Sequence, residues 1–302
     1  MANTLDDALK SVISRLAGRG NEARGEAEEL LGRLLGVPRH ELYLQRSRIL
    51  GPEQWTTLDS WMRRRERGEP LQYITGRAAF RSFDLAVDPS VLIPRPETEG
   101  LVEAVLGVLS HEGAHWANPR VLDLGTGSGV IAIAIAAEFP SATVTATDAS
   151  EAALTLARSN AAACGVAERV QFVHGEWFEP IPSDERFEVI VSNPPYIATG
   201  ERSSLPVEVR EFEPPEALFS GATGLEALRE IVEQAPRHLV AGGLLALELA
   251  EMRAGEVAAW LDGAHDWNRV ELREDLAGRP RVLLARREKG PAIAPAQWGE
   301  ER

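Results

Sequence analysis

Asn193-Pro194-Pro195-Tyr196 follows Val189-Ile190-Val191-Ser192, an apolar run that reads as a buried strand. A strand ending in this way can present a planar NH2 group to an electrophile. The Asn193 side-chain oxygen and the Pro194 carbonyl are two acceptors, and the prolines fix φ and remove N–H donors that would compete for the site. Tyr196 adds a flat ring to stack on the captured group. This chemistry suits methylation of an amide or of an exocyclic amine on a base. The plainer alternative is a Pro-rich turn that stops a strand.

Upstream, Val121-Leu122-Asp123-Leu124-Gly125-Thr126-Gly127-Ser128-Gly129 reads as a strand, a glycine-rich turn and the entry to a helix over Val130 to Phe139. Glycines there let backbone approach a ligand closely. The Gly-x-Gly-x-Gly spacing departs from the Gly-x-Gly-x-x-Gly of dinucleotide binders, which disfavours a nicotinamide cofactor. Asp148 ends the next strand, Thr143-Val144-Thr145-Ala146-Thr147, where a carboxylate can accept both ribose hydroxyls of an adenosine.

These residues need a scaffold, and the chain's periodicities supply one. Leu5, Leu9, Val12, Ile13 and Leu16 share a helical face, as do Ala27, Leu30, Leu31, Leu34 and Leu35, and a third helix from Pro52 carries Trp55, Leu58, Trp61 and Met62 inward. Arg63-Arg64-Arg65 reads as the solvated end of that helix. A small helical domain over residues 1–76 follows, as does a β-hairpin linker over 77–95, read from short alternating segments between Leu71 and Ile93. From Pro96 to residue 287 helices and strands alternate. Strands end at Leu124, Asp148, His174 and Ser192, with later ones at Leu244 to Leu249, Val270 to Arg273 and Arg281 to Ala285. The expected fold is α/β, a mostly parallel doubly wound sheet with ligands at the carboxyl ends of its strands. Residues 288–302 read as a flexible tail.

The 302 residues carry a net charge of -14, and it is unevenly placed. Residues 1–76 are near +1 and the remainder near -15, a field that repels nucleic-acid phosphates and attracts a cationic sulfonium compound. Cys164 is the sole cysteine, and the six histidines show no ligand spacing, His111 and His115 being separated by Gly113, so no metal site is expected. No apolar run approaches a membrane span, and the N-terminus lacks signal-peptide regions, which implies a cytoplasmic location.

The tetrapeptide and the glycine loop stand beside narrower signals: Leu71-Gln72-Tyr73-Ile74-Thr75-Gly76, Val91-Leu92-Ile93-Pro94-Arg95-Pro96-Glu97-Thr98-Glu99, Glu213-Pro214, Ala217-Leu218, Gly224-Leu225 and Asp275-Leu276-Ala277-Gly278-Arg279. On these the chain resembles the peptide chain release factor glutamine-N5 methyltransferases, the HemK family, over nearly its whole length. It departs at Phe212, where many members have Tyr, and at Pro280. The resemblance implies a Rossmann-like class I methyltransferase fold and methylation of the glutamine in the Gly-Gly-Gln motif of translation release factors. The methyl donor would be S-adenosylmethionine, leaving S-adenosylhomocysteine. Gly125, Thr126, Gly127, Ser128 and Gly129 would cradle the cofactor, Asp148 hold its ribose and Trp177 lie against its adenine. Asn193, Pro194, Pro195 and Tyr196 would hold the glutamine amide, with Asn193 also beside the cofactor. Two other readings use the same site: a glutamine methyltransferase acting on a ribosomal protein, and an adenine-N6 methyltransferase acting on a flipped base.

Overall fold

The computed structural model describes residues 3–20, 22–112 and 116–288. His115 and residues 289–302, most of the expected tail, lie outside them. The described residues divide into two compact units. The first runs up to Ala78 and adds Val87–Pro89 and Ser204–Glu213; the second holds the rest.

In the first unit, α1 (Leu5–Arg15), α2 (Glu22–Leu35), α3 (Arg39–Leu42), α4 (Pro52–Glu66) and α5 (Leu71–Thr75) surround an apolar core that includes Leu5, Leu9, Val12, Leu30, Leu31, Leu58 and Met62. Thr4 starts α1 with a capping box, its hydroxyl accepting from the Asp7 amide while its own amide donates to the Asp7 carboxylate. The structure corrects two expectations. Leu71–Thr75 is a helix, ended by Gly76 with φ 71°, so the extended stretch begins only at β1 (Arg77–Phe80), which pairs with β2 (Phe83–Ala86). Of the three arginines only Arg63, its side chain 69% exposed, is a solvated helix end. Arg65 is 3% exposed, its guanidinium held by Glu26 at 2.7 Å and by Glu208 at 2.9 Å, while Arg64 donates to the Tyr73 and Ile74 carbonyls. A buried guanidinium needs such partners, and Glu208 arrives from far along the chain, on α9 (Val207–Phe212).

The second unit is built on a sheet that has seven strands among the described residues, in the order β5-β4-β3-β6-β7-β9-β8. The strands are β3 (Arg120–Leu124), β4 (Thr143–Asp148), β5 (Val170–His174), β6 (Phe187–Ser192), β7 (Leu239–Glu248), β8 (Trp267–Glu274) and β9 (Pro280–Arg287). β5, β4, β3, β6 and β7 are mutually parallel, and β9 is antiparallel to both β7 and β8. Alternating residues feed opposite faces. Val121, Val144, Val189, Val191 and Ala246 pack under α6 (Pro96–Glu112) and α7 (Val130–Glu138). Leu122, Leu124, Ile190, Leu245 and Leu247 pack under α10 (Glu226–His238) and α11 (Glu251–Asp262). α7 is buried over Val130–Ala136, so its apolar, Ala-rich composition is what a helix enclosed on all sides requires.

Strand order reverses between β3 and β6, because β3 leads to β4 and β5 on one side while β6 and β7 lie on the other. Leu124 is in register with Thr147 and with Ser192, and Ser192 with Leu247. The residues that follow, Gly125, Asp148, Asn193 and Glu248, therefore stand at one level at the carboxyl ends of four neighbouring strands. Open α/β sheets bind ligands at such a switch point.

Candidate active site

The glycine loop leaves β3 with Gly125, Gly127 and Gly129 all at positive φ. Gly125, at φ +70°, turns beneath Trp177: a Cβ there would stand 3.2 Å from the indole Cζ3. A Cβ on Gly127 would meet nothing within 4 Å, so this part of the loop opens on free space. Asp148 fastens the loop from the next strand, Oδ2 accepting from the Gly127 amide at 2.8 Å and Oδ1 from the Ser150 amide at 2.8 Å. Each oxygen keeps a further lone pair for a hydroxyl. Burial raises the Asp148 pKa above the usual carboxylate range, against the pull of those two amides. Behind the loop, Asn160 of α8 (Glu151–Ala163) donates to the Ser128 carbonyl at 2.9 Å and to the Ala86 carbonyl at 3.0 Å, bracing loop and hairpin together.

Asp123, in the strand that feeds the loop, is fully buried. Its Oδ2 accepts from the Thr126 hydroxyl at 2.6 Å and the Ala132 amide at 3.2 Å, while Oδ1 has no partner among the described residues. Burial pushes its carboxyl up to about 7.

At the end of β6, Ser192 is buried and donates its hydroxyl to the Leu124 carbonyl at 2.7 Å, tying the two loops at their roots. Asn193 donates its side-chain NH2 to Thr98 Oγ1 at 3.1 Å, which leaves its oxygen turned to the other side. Pro194 is buried, and Tyr196 packs on the core beneath α10 and α11, its hydroxyl 3.5 Å from Glu248 Oε1. Burial, then the adjacent Glu248, pushes the Tyr196 hydroxyl up to about 12. The loop beyond is held by Ile197, whose amide donates to Leu218 and whose carbonyl accepts from Ser220, both at standard length. Gly224 passes so close that a Cβ would lie 2.6 Å from the Tyr196 carbonyl oxygen and 2.9 Å from the Ala198 nitrogen, which accounts for the Gly224-Leu225 signal in physical terms.

The expected residues from Gly125 to Gly129, Asp148, Trp177 and Asn193 to Tyr196 thus come from the ends of adjacent strands. Trp177, with φ 43°, packs beside the core under α10 while its ring covers Gly125. Sequence reasoning missed Thr98, Asp123, Ser192 and Glu248. Asp123 and Glu248 did leave a trace, each being a lone carboxylate inside an apolar strand. Among the described residues, no group of three or more His, Cys, Asp or Glu side chains is arranged to hold a metal ion, and no helix is long and apolar enough to cross a membrane.

Two family models match the chain, the PrmC N-terminal domain over residues 7–76 and the methyltransferase small domain over residues 103–209. Release factor glutamine methyltransferases of Geobacter sulfurreducens, Cereibacter sphaeroides and Gloeobacter violaceus are 45%, 41% and 40% identical to it. The matches cover 82%, 93% and 86% of this chain and 84%, 97% and 89% of those proteins. Among solved structures, the hMettl16 catalytic domain in complex with MAT2A 3'UTR hairpin 6 superimposes with a TM-score of 0.55 at 15% identity, covering 80% of this chain and 84% of that one. At that identity the likeness bears on the fold, a Rossmann-like class I methyltransferase sheet.

Proposed function

The chain belongs to the family of release factor glutamine methyltransferases, and we propose that it transfers the methyl group of S-adenosylmethionine to the side-chain amide nitrogen of the glutamine in the Gly-Gly-Gln motif of peptide chain release factors. The observation that carries this reading is the Asn193 side chain: its NH2 is taken by Thr98, so its oxygen remains to accept from an incoming NH2 group beside the glycine loop.

The residues around the loop suit an adenosine-bearing cofactor. Gly127 opens on free space, the two Asp148 oxygens retain lone pairs for ribose hydroxyls, and the Trp177 indole offers a flat apolar wall above Gly125. When bound, S-adenosylmethionine supplies an electrophilic methyl on a sulfonium that departs as a neutral thioether.

The chain's own residues meet a different difficulty. An amide nitrogen is a poor nucleophile because its lone pair is delocalised into the carbonyl, the resonance behind a rotation barrier of roughly 18–20 kcal/mol. Asn193 Oδ1 and the Pro194 carbonyl each accept one amide N–H, so the nitrogen lone pair points out of the amide plane as the centre becomes tetrahedral. The same two acceptors stabilise the positive charge that develops on nitrogen. Tyr196 fixes the amide plane by stacking. The methylated nitrogen is acidic and loses its extra proton to water.

The test is intact-mass and peptide mass spectrometry of a purified release factor incubated with this protein and S-adenosylmethionine, beside parallel reactions with adenine-containing DNA and RNA. One methyl on the Gly-Gly-Gln glutamine is expected, reduced on the order of 10² to 10³ in rate by Asn193→Ala. Methyl on adenine or on another protein, with none on that glutamine, overturns the substrate.

A further inference from the structure

A loop that wraps a ligand turns some of its own N–H and C=O groups away from it, and each buried group so turned needs a partner. In the glycine loop this happens on both sides of one peptide group. The Gly127 amide donates to Asp148 Oδ2 at 2.8 Å, and the Ser128 carbonyl accepts from Asn160 Nδ2 at 2.9 Å. The peptide group between these two holds, made of the Gly127 carbonyl and the Ser128 amide, has no partner among the described residues. One acceptor and one donor are thereby kept for a ligand, at the glycine where a Cβ would meet nothing within 4 Å.

Asp148 was legible as a ligand residue, whereas Asn160 stands behind the loop and is only 2% exposed. Its amide is fully used. Oδ1 accepts from the Ala86 amide at 2.8 Å, and Nδ2 donates to the Ala86 carbonyl at 3.0 Å as well as to Ser128. A backbone N–H can only donate, so the atom that faces the Ala86 amide is the oxygen, and Nδ2 is left for the two carbonyls. The polarity of Asn160 is therefore set by Ala86, the last residue of β2. α8 comes near enough for this contact because Gly129 lacks a side chain. A Cβ there would stand 3.1 Å from Ala157 Cβ, and Ala157 lies three residues before Asn160 on the same buried helix face.

We infer that Asn160 is a positioning residue for the cofactor, and that through it the end of the β-hairpin forms part of the support of the cofactor site. The inference rests on the glycine loop as the seat of S-adenosylmethionine. It also has a reciprocal side, since a ligand that orders the loop must protect the Ala86 amide through the same side chain.

The probe is S-adenosylhomocysteine, measured by calorimetry on variants whose thermal unfolding shows that they are folded at the working temperature. Asn160→Ala removes all three hydrogen bonds, and Asn160→Asp keeps the shape but replaces both donors by acceptors. Each should raise the cofactor Kd about tenfold or more, with the release factor KM at saturating cofactor within about twofold. Val166→Ala, a core change just beyond α8, lowers stability without touching the loop and should leave Kd within about twofold. Ala86→Pro deletes the N–H that orients Asn160; it should raise Kd about threefold or more alone and add little in the Asn160→Ala background, the non-additivity expected of one shared chain of contacts. In wild type, saturating S-adenosylhomocysteine should slow exchange of the Ala86 amide several-fold, an effect absent in Asn160→Ala.

A folded Asn160→Ala protein with wild-type cofactor affinity overturns the inference. So does a loss of affinity that Val166→Ala matches, or an Ala86 amide whose exchange ignores the ligand. Asp148→Ala separates the two levels of the argument: weakened binding there beside unchanged binding in Asn160→Ala rejects Asn160 alone, whereas unchanged binding in both removes the glycine loop as the cofactor's seat and the inference with it.

Discussion

The Ser192 hydroxyl donates to the Leu124 carbonyl across 2.7 Å, joining the last residues of two parallel strands that are also partners in register. This bond stands at the point where the strand order reverses, with the glycine loop leaving on one side and the Asn-Pro-Pro-Tyr loop on the other. It therefore sets the spacing between the surface that would hold the methyl donor and the one that would hold its acceptor.

Ser192→Ala should cost about 1–2 kcal/mol, since it leaves the buried Leu124 carbonyl short of a partner. Chemical denaturation reads that loss. Turnover should fall by about tenfold with little change in cofactor affinity, because reacting groups held at a slightly wrong separation lose rate before they lose binding.

Gly224→Ala places a methyl 2.6 Å from the Tyr196 carbonyl oxygen in a residue whose φ is +78°. Gly165→Ala, with φ +71° and nothing within 4 Å, carries the conformational cost alone and serves as its control. The control should lose about 1–2 kcal/mol, and Gly224→Ala a further ~1–3 kcal/mol from overpacking, together with most of the activity. Equal losses of stability and activity in the two variants would mean that the loop accommodates the methyl freely.

Asp148→Ala should weaken cofactor binding by about tenfold or more in calorimetry, as the Gly127 and Ser150 amides lose a charged acceptor together with the ribose contact. Asp148→Asn should fall between the two, since its amide oxygen can still accept one of those bonds. Unchanged affinity in Asp148→Ala would remove this residue from the cofactor site.

How far the site was legible depended on whether a residue's partners lie near it in sequence. Asp148 and Asn193 close apolar strands of regular length, so periodicity alone put them at strand ends, and a doubly wound order brought those ends together. Thr98 stood in sequence only as one residue of a motif, because its partner is 95 positions away. Arg65 looked solvated for the same reason, its second carboxylate arriving on α9. β9 and β8 were found as strands, but the placement of β9 antiparallel between β7 and β8 depends on connections that hydrophobic pattern does not encode.

The buried carboxyl of Asp123 makes stability depend on pH. Its pKa is raised from 3.8 to about 7, so the folded state holds the proton more tightly than the unfolded chain. That contribution is complete below the unfolded value and is lost as pH rises through about 7. Asp123→Asn cannot ionise, so it should gain stability relative to wild type as pH rises from about 4 to about 7, by up to ~1.4 kcal/mol per unit, and level off above that. Paired denaturation curves over that range provide the check, and parallel curves would show that Asp123 ionises without penalty. Glu248, also raised to about 7, contributes with the same sign and leaves a residual slope in the variant.

The first compact unit is assembled from three separate stretches of chain, with Val87–Pro89 and Ser204–Glu213 added to the residues up to Ala78, and the last of these carries the Glu208 that pairs with Arg65. Dissection into recombinant fragments meets an obstacle here. A fragment ending at the hairpin would expose the guanidinium to a half-empty pocket, and the complementary fragment would carry α9 as an orphan helix. Only a splice that carries Ser204–Glu213 along, through a linker or a permuted order of the chain, would yield the helical part whole.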